Sequence, residues 1–457
     1  MKIKKKLSQI YHKYKNICKN FIYINFYSFI IYYRKIKSFL FLSDLIINKK
    51  LSFLDPENFK SNSYQNNNRK YKKIILVIGR LTHGGAERQV LRLAEYLAEK
   101  KFKVKIFAIK NKSKKDLTYS LSKNIKIDYI KIEKFTPLTT TDKNFLISLK
   151  KINFFTNWER EYCLALYGYL KKEKPDIIHS FLDFHCITSG YVAQYIKTKK
   201  VILSTRNLSP DRFLLNRPYF KEFYKSLLKF DNIVLVNNSN EGCASYEKWL
   251  GLKRDSIKLT NNIFDFNKEI KLRPLKLINK DINLVNIGAI IRLDPEKNPV
   301  YLIKLAEHLV RNNPNYYFYI LGTGLLASKL KKYIKKNKLT NNIKLLGNKN
   351  NIYDYLNFFD YTLLTSKSEG LPNVLLESQM VGTPVITTDA GGAKEAIIKN
   401  YSGYFIGGKS IKKDSKKIKD IVLKNSKSQK IDLRVIKKKL KKFSPLIAVQ
   451  QVLDLYN

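Results

Sequence analysis

At 457 residues the chain exceeds one core of ordinary size, so two domains and an extension are expected. Its net charge of +50 comes from Lys more than Arg, in a sequence also rich in Asn, Ile and Tyr. No zinc-finger spacing, basic zipper or ribonucleoprotein motif accompanies it, which argues against nucleic acid as the partner and leaves attraction to anionic lipid. Four scattered cysteines (Cys18, Cys163, Cys186, Cys243) with no Cys-x-x-Cys argue against a disulfide scaffold or a metal cluster and fit reduced thiols in a cytosolic protein.

Residues 1–69 differ from the remainder. Lys2, Lys4, Lys5 and Lys6 lead to the run FIYINFYSFIIYY (Phe21 to Tyr33), and Arg34, Lys35 and Lys37 separate it from a second run, Phe39 to Ile47. Neither reaches the ~20 apolar residues that span a bilayer. No small-residue cleavage site follows, so a signal peptide is not expected. Tyr-rich, Lys-flanked helices suit a membrane interface; the alternative is a helical extension packed on the catalytic body or on a second copy of the chain. Ser61 to Arg69 reads as a polar linker.

The first domain is placed at 70–267. KIILVI (Lys73 to Ile78) predicts a buried strand, LTHGGAE a turn, and Val90, Leu93, Ala94 and Leu97 one face of a helix. Strand, diglycine turn and helix bring backbone N–H groups within reach of a phosphate. Further strands are predicted at Val104–Ile109, Asp176–Ser180, Val201–Arg206 and Ile233–Asn237. Lys110 to about Trp158 is Lys-rich with weak periodicity and is read as an insertion or acceptor-side loop. Arg206, at a strand end, is a candidate contact for an anionic acceptor or a plain surface arginine. Residues 268–280 read as the linker.

The second domain, 268–442, alternates strand-like runs with helical patterns, which implies a parallel sheet covered on both faces, with ligands at the carboxyl ends of its strands. Arg292 and Lys297 precede a helix that starts at Pro299; two cations there can clamp a diphosphate. Glu369 and Glu377 bracket Gly370-Leu371-Pro372-Asn373 and the start of another helix, which Pro372 favours and Gly382 ends. At ~1.5 Å rise per residue both carboxylates can line one cleft beside the unpaired N–H groups of that helix. Lys409 to Lys442 reads as a solvated helical face, and 443–457 as a terminal helix with Ile447, Val449, Val452 and Leu455 apolar.

The string EGLPNVLLE, followed by GTPV and by Gly391, Gly392 and Glu395, resembles the Glu-x7-Glu signature of the family 4 retaining glycosyltransferases. GGAERQVLRLAEYL and G-x-x-x-RL-x-x-x-KN resemble two further motifs of that family, and the resemblance covers residues 72–457. It implies the GT-B fold, two Rossmann-like doubly wound domains facing across a cleft, here with a helical N-terminal extension, and a terminal helix that crosses back to the first domain. It implies transfer of a hexose, with retention, from a UDP- or GDP-sugar to a glycan or lipid-linked acceptor in bacterial surface polysaccharide synthesis. The setting implied is the cytoplasmic face of the plasma membrane.

Carried over residue by residue, the resemblance gives Glu377 the ribose hydroxyls, Glu369 and the amides of Gly370–Asn373 the donor sugar, Arg292 and Lys297 the diphosphate, and Gly84 and Gly85 its far side. The family often places a histidine after the strand ending near Ser180. Here His179 is the candidate catalytic histidine, Phe181 stands where many members have a second one, and His185 lies farther on. No Asp-x-Asp appears, so neither a metal nor another cofactor is expected. The alternatives are another GT-B enzyme, such as a sugar-nucleotide epimerase, and a non-catalytic basic protein that binds membrane or nucleic acid.

Overall fold

The computed structural model describes residues 47, 51–59, 72–82, 84–109, 125–130, 136–212, 217–275, 283–425 and 431–457. The runs at 21–33 and 39–46, the linker at 61–69 and parts of the 110–135 and 268–282 stretches lie outside them.

Two parallel sheets organise the described chain. In the first, β1 (Lys73–Arg80), β2 (Lys103–Ile109), β3 (Lys126–Tyr129), β4 (Ile177–Phe181), β5 (Lys200–Ser204), β6 (Ile233–Asn237) and β7 (Lys258–Leu259) stand in the order 3-2-1-4-5-6-7. The second comprises β8 (Val285–Ile290), β9 (Tyr316–Leu321), β10 (Ile343–Gly347), β11 (Tyr361–Leu364), β12 (Val385–Thr388) and β13 (Gly403–Ile406), in the order 10-9-8-11-12-13. β1 is buried along six consecutive residues, as expected of a strand covered on both faces. The strand order reverses between β1 and β4 and again between β8 and β11, and such switch points open a crevice at the carboxyl ends.

Helices cover both sheets. The first domain carries α1 (Gly85–Glu99), α2 (Thr140–Lys151), α3 (Asn157–Glu173), α4 (Asp183–Ile196), α5 (Phe220–Leu227) and α6 (Asn240–Leu250). The second carries α7 (Pro299–Asn312), α8 (Ala327–Lys336), α9 (Ile352–Phe358), α10 (Asn373–Met380), α11 (Ile411–Lys424) and α12 (Leu433–Lys439). The last helix, α13 (Pro445–Tyr456), buries Ala448, Val449, Val452 and Tyr456 in a first-domain cluster with β1 and α1, and the Lys72 ammonium donates to the Tyr456 carbonyl at 2.6 Å.

Three stretches differ from the sequence reading. Lys110 to Trp158 is not all loop: it holds β3 and α2, whose capping box (Thr139 with Asp142) and buried Phe145 and Leu149 fix it to the body. Its exposed lysines dilute the apolar period. Lys409 to Lys442 forms α11 and α12, which bury Ile418, Ile421, Val422 and Ile436 beneath the lysines. The extension is not wholly separate from the first domain. Ile47, Leu51 and Leu54 are buried in that domain's aromatic core, and Phe59 meets Tyr195 and Phe230 edge-on at 5.1 and 5.5 Å. Ile47, Leu51, Leu54 and Phe59 therefore pack on the first domain, the alternative of an extension held against the catalytic body.

Candidate active site between the two domains

The second-domain wall is built on the start of α10. Pro372, with φ −74° and ψ 107°, is the residue before its first turn, so the N–H groups that follow face the cleft without a side-chain cap. Glu377, one turn in, is wholly buried. Glu369, on the entry loop, is also buried; it accepts from the Ser366 hydroxyl at 2.6 Å and pairs with Lys297 at 2.7 Å. Lys297 thus reaches Glu369 rather than standing in solvent. Arg292 is 62% exposed and engaged by Asp294 at 2.9 Å and Glu296 at 2.6 Å.

The first-domain wall begins at the diglycine turn. Gly84 precedes α1 in extended conformation, and the Asn373 amide donates to the Gly85 carbonyl at 3.0 Å, so the two domains touch here. Arg88, on the first turns of α1, crosses the cleft to Glu377: Nη1 lies 2.9 Å from Oε1 and Nη2 3.3 Å from Oε2. The closer approach is poorly aimed, since Oε1 accepts no hydrogen bond. Burial raises the Glu87 carboxyl above its usual range, and the Thr82 hydroxyl donates to it at 3.0 Å.

Deeper in, a polar network is fixed in place. Arg206 donates to Asn262 Oδ1 at 2.8 Å and lies over the Phe181 ring at 5.2 Å. Burial lowers its guanidinium to about 10. Asn238 donates to the same Oδ1 at 3.1 Å, while the Asn262 amide donates to Asn373 Oδ1 at 2.5 Å and to the Leu371 carbonyl at 3.4 Å. Arg206 is therefore an internal clamp between β5 and the domain junction; it does not extend into solvent toward an acceptor.

His179 is wholly buried mid-strand, stacked on Phe181 at 4.4 Å, with Nδ1 2.7 Å from the Tyr456 hydroxyl. Its Nε2 has no partner, and burial together with the Arg206 charge keeps the ring neutral. His185, in the first turn of α4, places Nδ1 2.8 Å from the Tyr162 hydroxyl, and burial lowers it to about 4. A Cβ on Gly79 would come within 2.9 Å of its Nε2. Neither ring opens onto solvent in this arrangement, so the strand-end position of Phe181, not a histidine, borders Arg206.

Glycines set how closely the walls meet. A Cβ at Gly370 would lie 2.2 Å from the Arg206 carbonyl oxygen, and Gly391, at φ +68°, packs against the Glu369 carbonyl. Only residues without a side chain permit this approach. The Glu395 carboxylate then caps α6 from the other domain, accepting the Asn240 and Glu241 backbone N–H groups at 3.1 Å each. Orphaned buried polar atoms gather at the same junction: Glu377 Oε1, Ser368 Oγ and Asn238 Oδ1. Such a concentration marks a site for a polar ligand. The structure brings Glu369, Lys297, Glu377, Asn373, Gly370, Leu371, Pro372 and Gly85 together; it leaves Arg292 at the rim and His179 beneath the floor. Sequence reasoning passed over Arg88, Asn238 and Asn262. Arg88 stood inside GGAER, whereas the asparagines were hidden by an Asn-rich composition.

These motifs have counterparts in known proteins. Residues 83–268 match the profile of Glycosyltransferase Family 4, and residues 274–438 that of Glycosyl transferases group 1. A Campylobacter jejuni N-acetylgalactosaminyltransferase acting on a diphosphoundecaprenol-linked glycan is 30% identical over 73% of this chain and 84% of its own length. The chain belongs to the family 4 type of glycosyltransferases. A Vi polysaccharide biosynthesis protein of Salmonella typhi is 27% identical over 74% of this glycosyltransferase, which spans 62% of that longer relative. An Escherichia coli α-1,3-galactosyltransferase is 29% identical over 53% of the chain and 65% of its own length. Among solved structures, Anabaena HepE with UDP and glucose superposes with TM-score 0.67 at 18% identity, over 84% of this glycosyltransferase and 99% of HepE. Staphylococcus aureus TarM superposes with TM-score 0.65 at 15% identity, over 84% and 100%. The fold is GT-B.

Proposed function

We propose that this chain transfers a hexose, with retention, from a nucleoside diphosphate sugar to a lipid-linked glycan in bacterial surface polysaccharide synthesis. The observation that carries the reading is Glu377: a wholly buried carboxylate at the domain junction with one oxygen accepting no hydrogen bond. A buried carboxylate left so is costly unless a ligand supplies donors, and two ribose hydroxyls supply them. Glu369, 2.7 Å from Lys297, receives the donor sugar, and Lys297 and Arg292 take the diphosphate. As the glycosidic bond breaks, charge gathers on the leaving diphosphate, and fixed cations with the open N–H groups of α10 stabilise it without reorganising. Relatives named for diphosphoundecaprenol-linked substrates support the acceptor class.

We also propose that residues 1–46 hold the enzyme at an anionic membrane on the cytoplasmic side, because the sequence there alternates basic and aromatic blocks, and each Lys or Arg adds about 1 kcal/mol of attraction near such a surface. Among the described residues no helix is long and apolar enough to cross a bilayer.

Incubation with a panel of UDP- and GDP-sugars and a diphosphate-linked glycan acceptor tests the activity. Sugar transfer with the α configuration of the donor preserved is expected. Epimerised sugar nucleotide, or no stabilisation by any of them in a thermal scan, would contradict it.

A further inference from the structure

The donor reading just given assigns the phosphates to cations of the second domain, yet the most buried cross-cleft cation comes from the first. We propose that Arg88 is a donor-binding residue: when the nucleoside diphosphate enters, its guanidinium leaves Glu377 for the diphosphate, and the ribose hydroxyls take its place on the carboxylate. The inference rests on the assignment of Glu377 to the ribose.

Three observations and an argument from charge lead to it. The Arg88–Glu377 pair spans the domains as a loosened fork: the Nη1–Oε1 contact at 2.9 Å is not aimed as a hydrogen bond, and the Nη2–Oε2 hydrogen bond is stretched to 3.3 Å. Glu377 is wholly buried, so it cannot lose its cation without gaining other donors. Neutral hydroxyls can replace a guanidinium there only if the positive charge stays close, and an Arg88 turned onto the diphosphate does stay close. Finally, the helix that carries Arg88 is held still. Gln89 exchanges hydrogen bonds with the Ile263 backbone at 2.6 and 3.3 Å, and Arg92 donates to the Ile263 carbonyl at 2.8 Å. The helix is thereby fixed within its own domain, with Arg88 one turn beyond the Gly84-Gly85 turn.

The pair at Lys297 and Glu369 follows the same logic at the sugar end. There a buried carboxylate is neutralised by a lysine that a phosphate can also claim, leaving the carboxylate for sugar hydroxyls. Two protein ion pairs are thus replaced by two phosphate contacts and two sets of hydroxyl contacts, and the net charge of the cleft changes only by that of the ligand. Closing the domains without ligand and accepting the donor become alternative uses of one guanidinium.

The test uses the full chain as wild type, Arg88→Gln and Arg88→Lys, titrated calorimetrically with UDP and GDP and with UMP and GMP. The exchange predicts that Arg88→Gln weakens the bound diphosphate about tenfold and the matching monophosphate much less, the loss expected of one charge-assisted contact. Arg88→Lys keeps the charge on Glu377 but loses the fork, so it folds like the wild type and still weakens the diphosphate about threefold. Unchanged or tighter diphosphate binding by either variant would show that Arg88 is only a latch competing for Glu377, and the proposal falls. A wild type that binds none of the four nucleotides overturns the donor reading itself, a different failure and visible as such.

Discussion

The two domains use the same doubly wound scheme but secure their polar groups in opposite ways. On the second-domain wall the charges sit in pairs that a ligand can take apart: Lys297 with Glu369, and Arg292 with Asp294 and Glu296 at the solvent edge. The deeper part of the first-domain wall is locked, while Arg88 at its edge pairs with Glu377 across the junction. Arg206 and Asn238 both donate to Asn262 Oδ1 beside Phe181, above a core of stacked rings such as Phe145 on Tyr167 at 4.1 Å and Phe155 on Phe223 at 5.6 Å. The difference teaches that residues able to bind an anion are those whose present partners are replaceable, not simply those carrying positive charge. Arg206 and Arg292 are both arginines near the cleft, and only the second is exposed and held by solvent-edge carboxylates.

Cutting into the locked domain should have the largest effect. A chain that begins at Tyr71 loses Ile47, Leu51 and Leu54 from the aromatic core, and at ~1.5–3 kcal/mol for each buried side chain it should unfold at much lower denaturant. A chain that begins at Asp44 keeps all three, should match the full chain in a urea melt, and should no longer pellet with anionic vesicles. Equal melts for both truncations would mean that residues 47–59 contribute no packing. Vesicle binding retained by the Asp44 chain would place the membrane contact in the catalytic body.

Next comes acid. His179 and His185 are buried neutral, His185 down at about 4 against the ordinary 6.5. Below pH 6.5 the unfolded chain therefore binds protons that the folded chain refuses. The stability these rings permit is full above pH 6.5 and is lost as pH falls toward 4, on the order of 3 kcal/mol for His185 alone. Urea melts across that window should show the decline, and His185→Gln should make it shallower. An unaltered slope in that variant would remove His185 from the account.

A smaller change separates the two arginines. Arg206→Gln should cost about 2 kcal/mol of stability through the lost charge-assisted hydrogen bond to Asn262 and leave nucleoside diphosphate affinity nearly intact. Arg292→Gln should do the reverse, with little effect on melting and a weaker diphosphate. If Arg206→Gln instead melts normally and weakens ligand binding, the boundary drawn between locked and exchangeable groups is wrong.

Much of this was legible in the sequence. The second domain's alternation placed five of its six strands within a few residues, because apolar runs such as Tyr316–Leu321 are buried on both faces and tolerate no lysine, whereas β13 (Gly403–Ile406) was not read. The Glu369 to Glu377 string located the cleft. Lysine-rich elements were harder: α2 buries only a few positions and shows lysines on the rest of its surface, so its period was lost. Arg88 escaped notice because an arginine four residues into an amphipathic helix looks like a solvent-facing residue until another domain is set against it. His179 was over-read for the converse reason. A histidine at a strand end suggests a site, but this one stands two residues before the end of its strand and meets Tyr456 from the far end of the chain. Contacts between positions hundreds of residues apart leave no local pattern to read.

The central claim is that Glu377 holds the nucleotide and Glu369 the sugar. Calorimetric titration of the bare nucleoside diphosphate, UDP or GDP according to which stabilises the wild type, against Glu377→Gln and Glu369→Gln tests it most directly. The account predicts about tenfold weaker binding for Glu377→Gln, and unchanged or slightly tighter binding for Glu369→Gln, in which Lys297 is released to the phosphate. Equal weakening in both variants would contradict it.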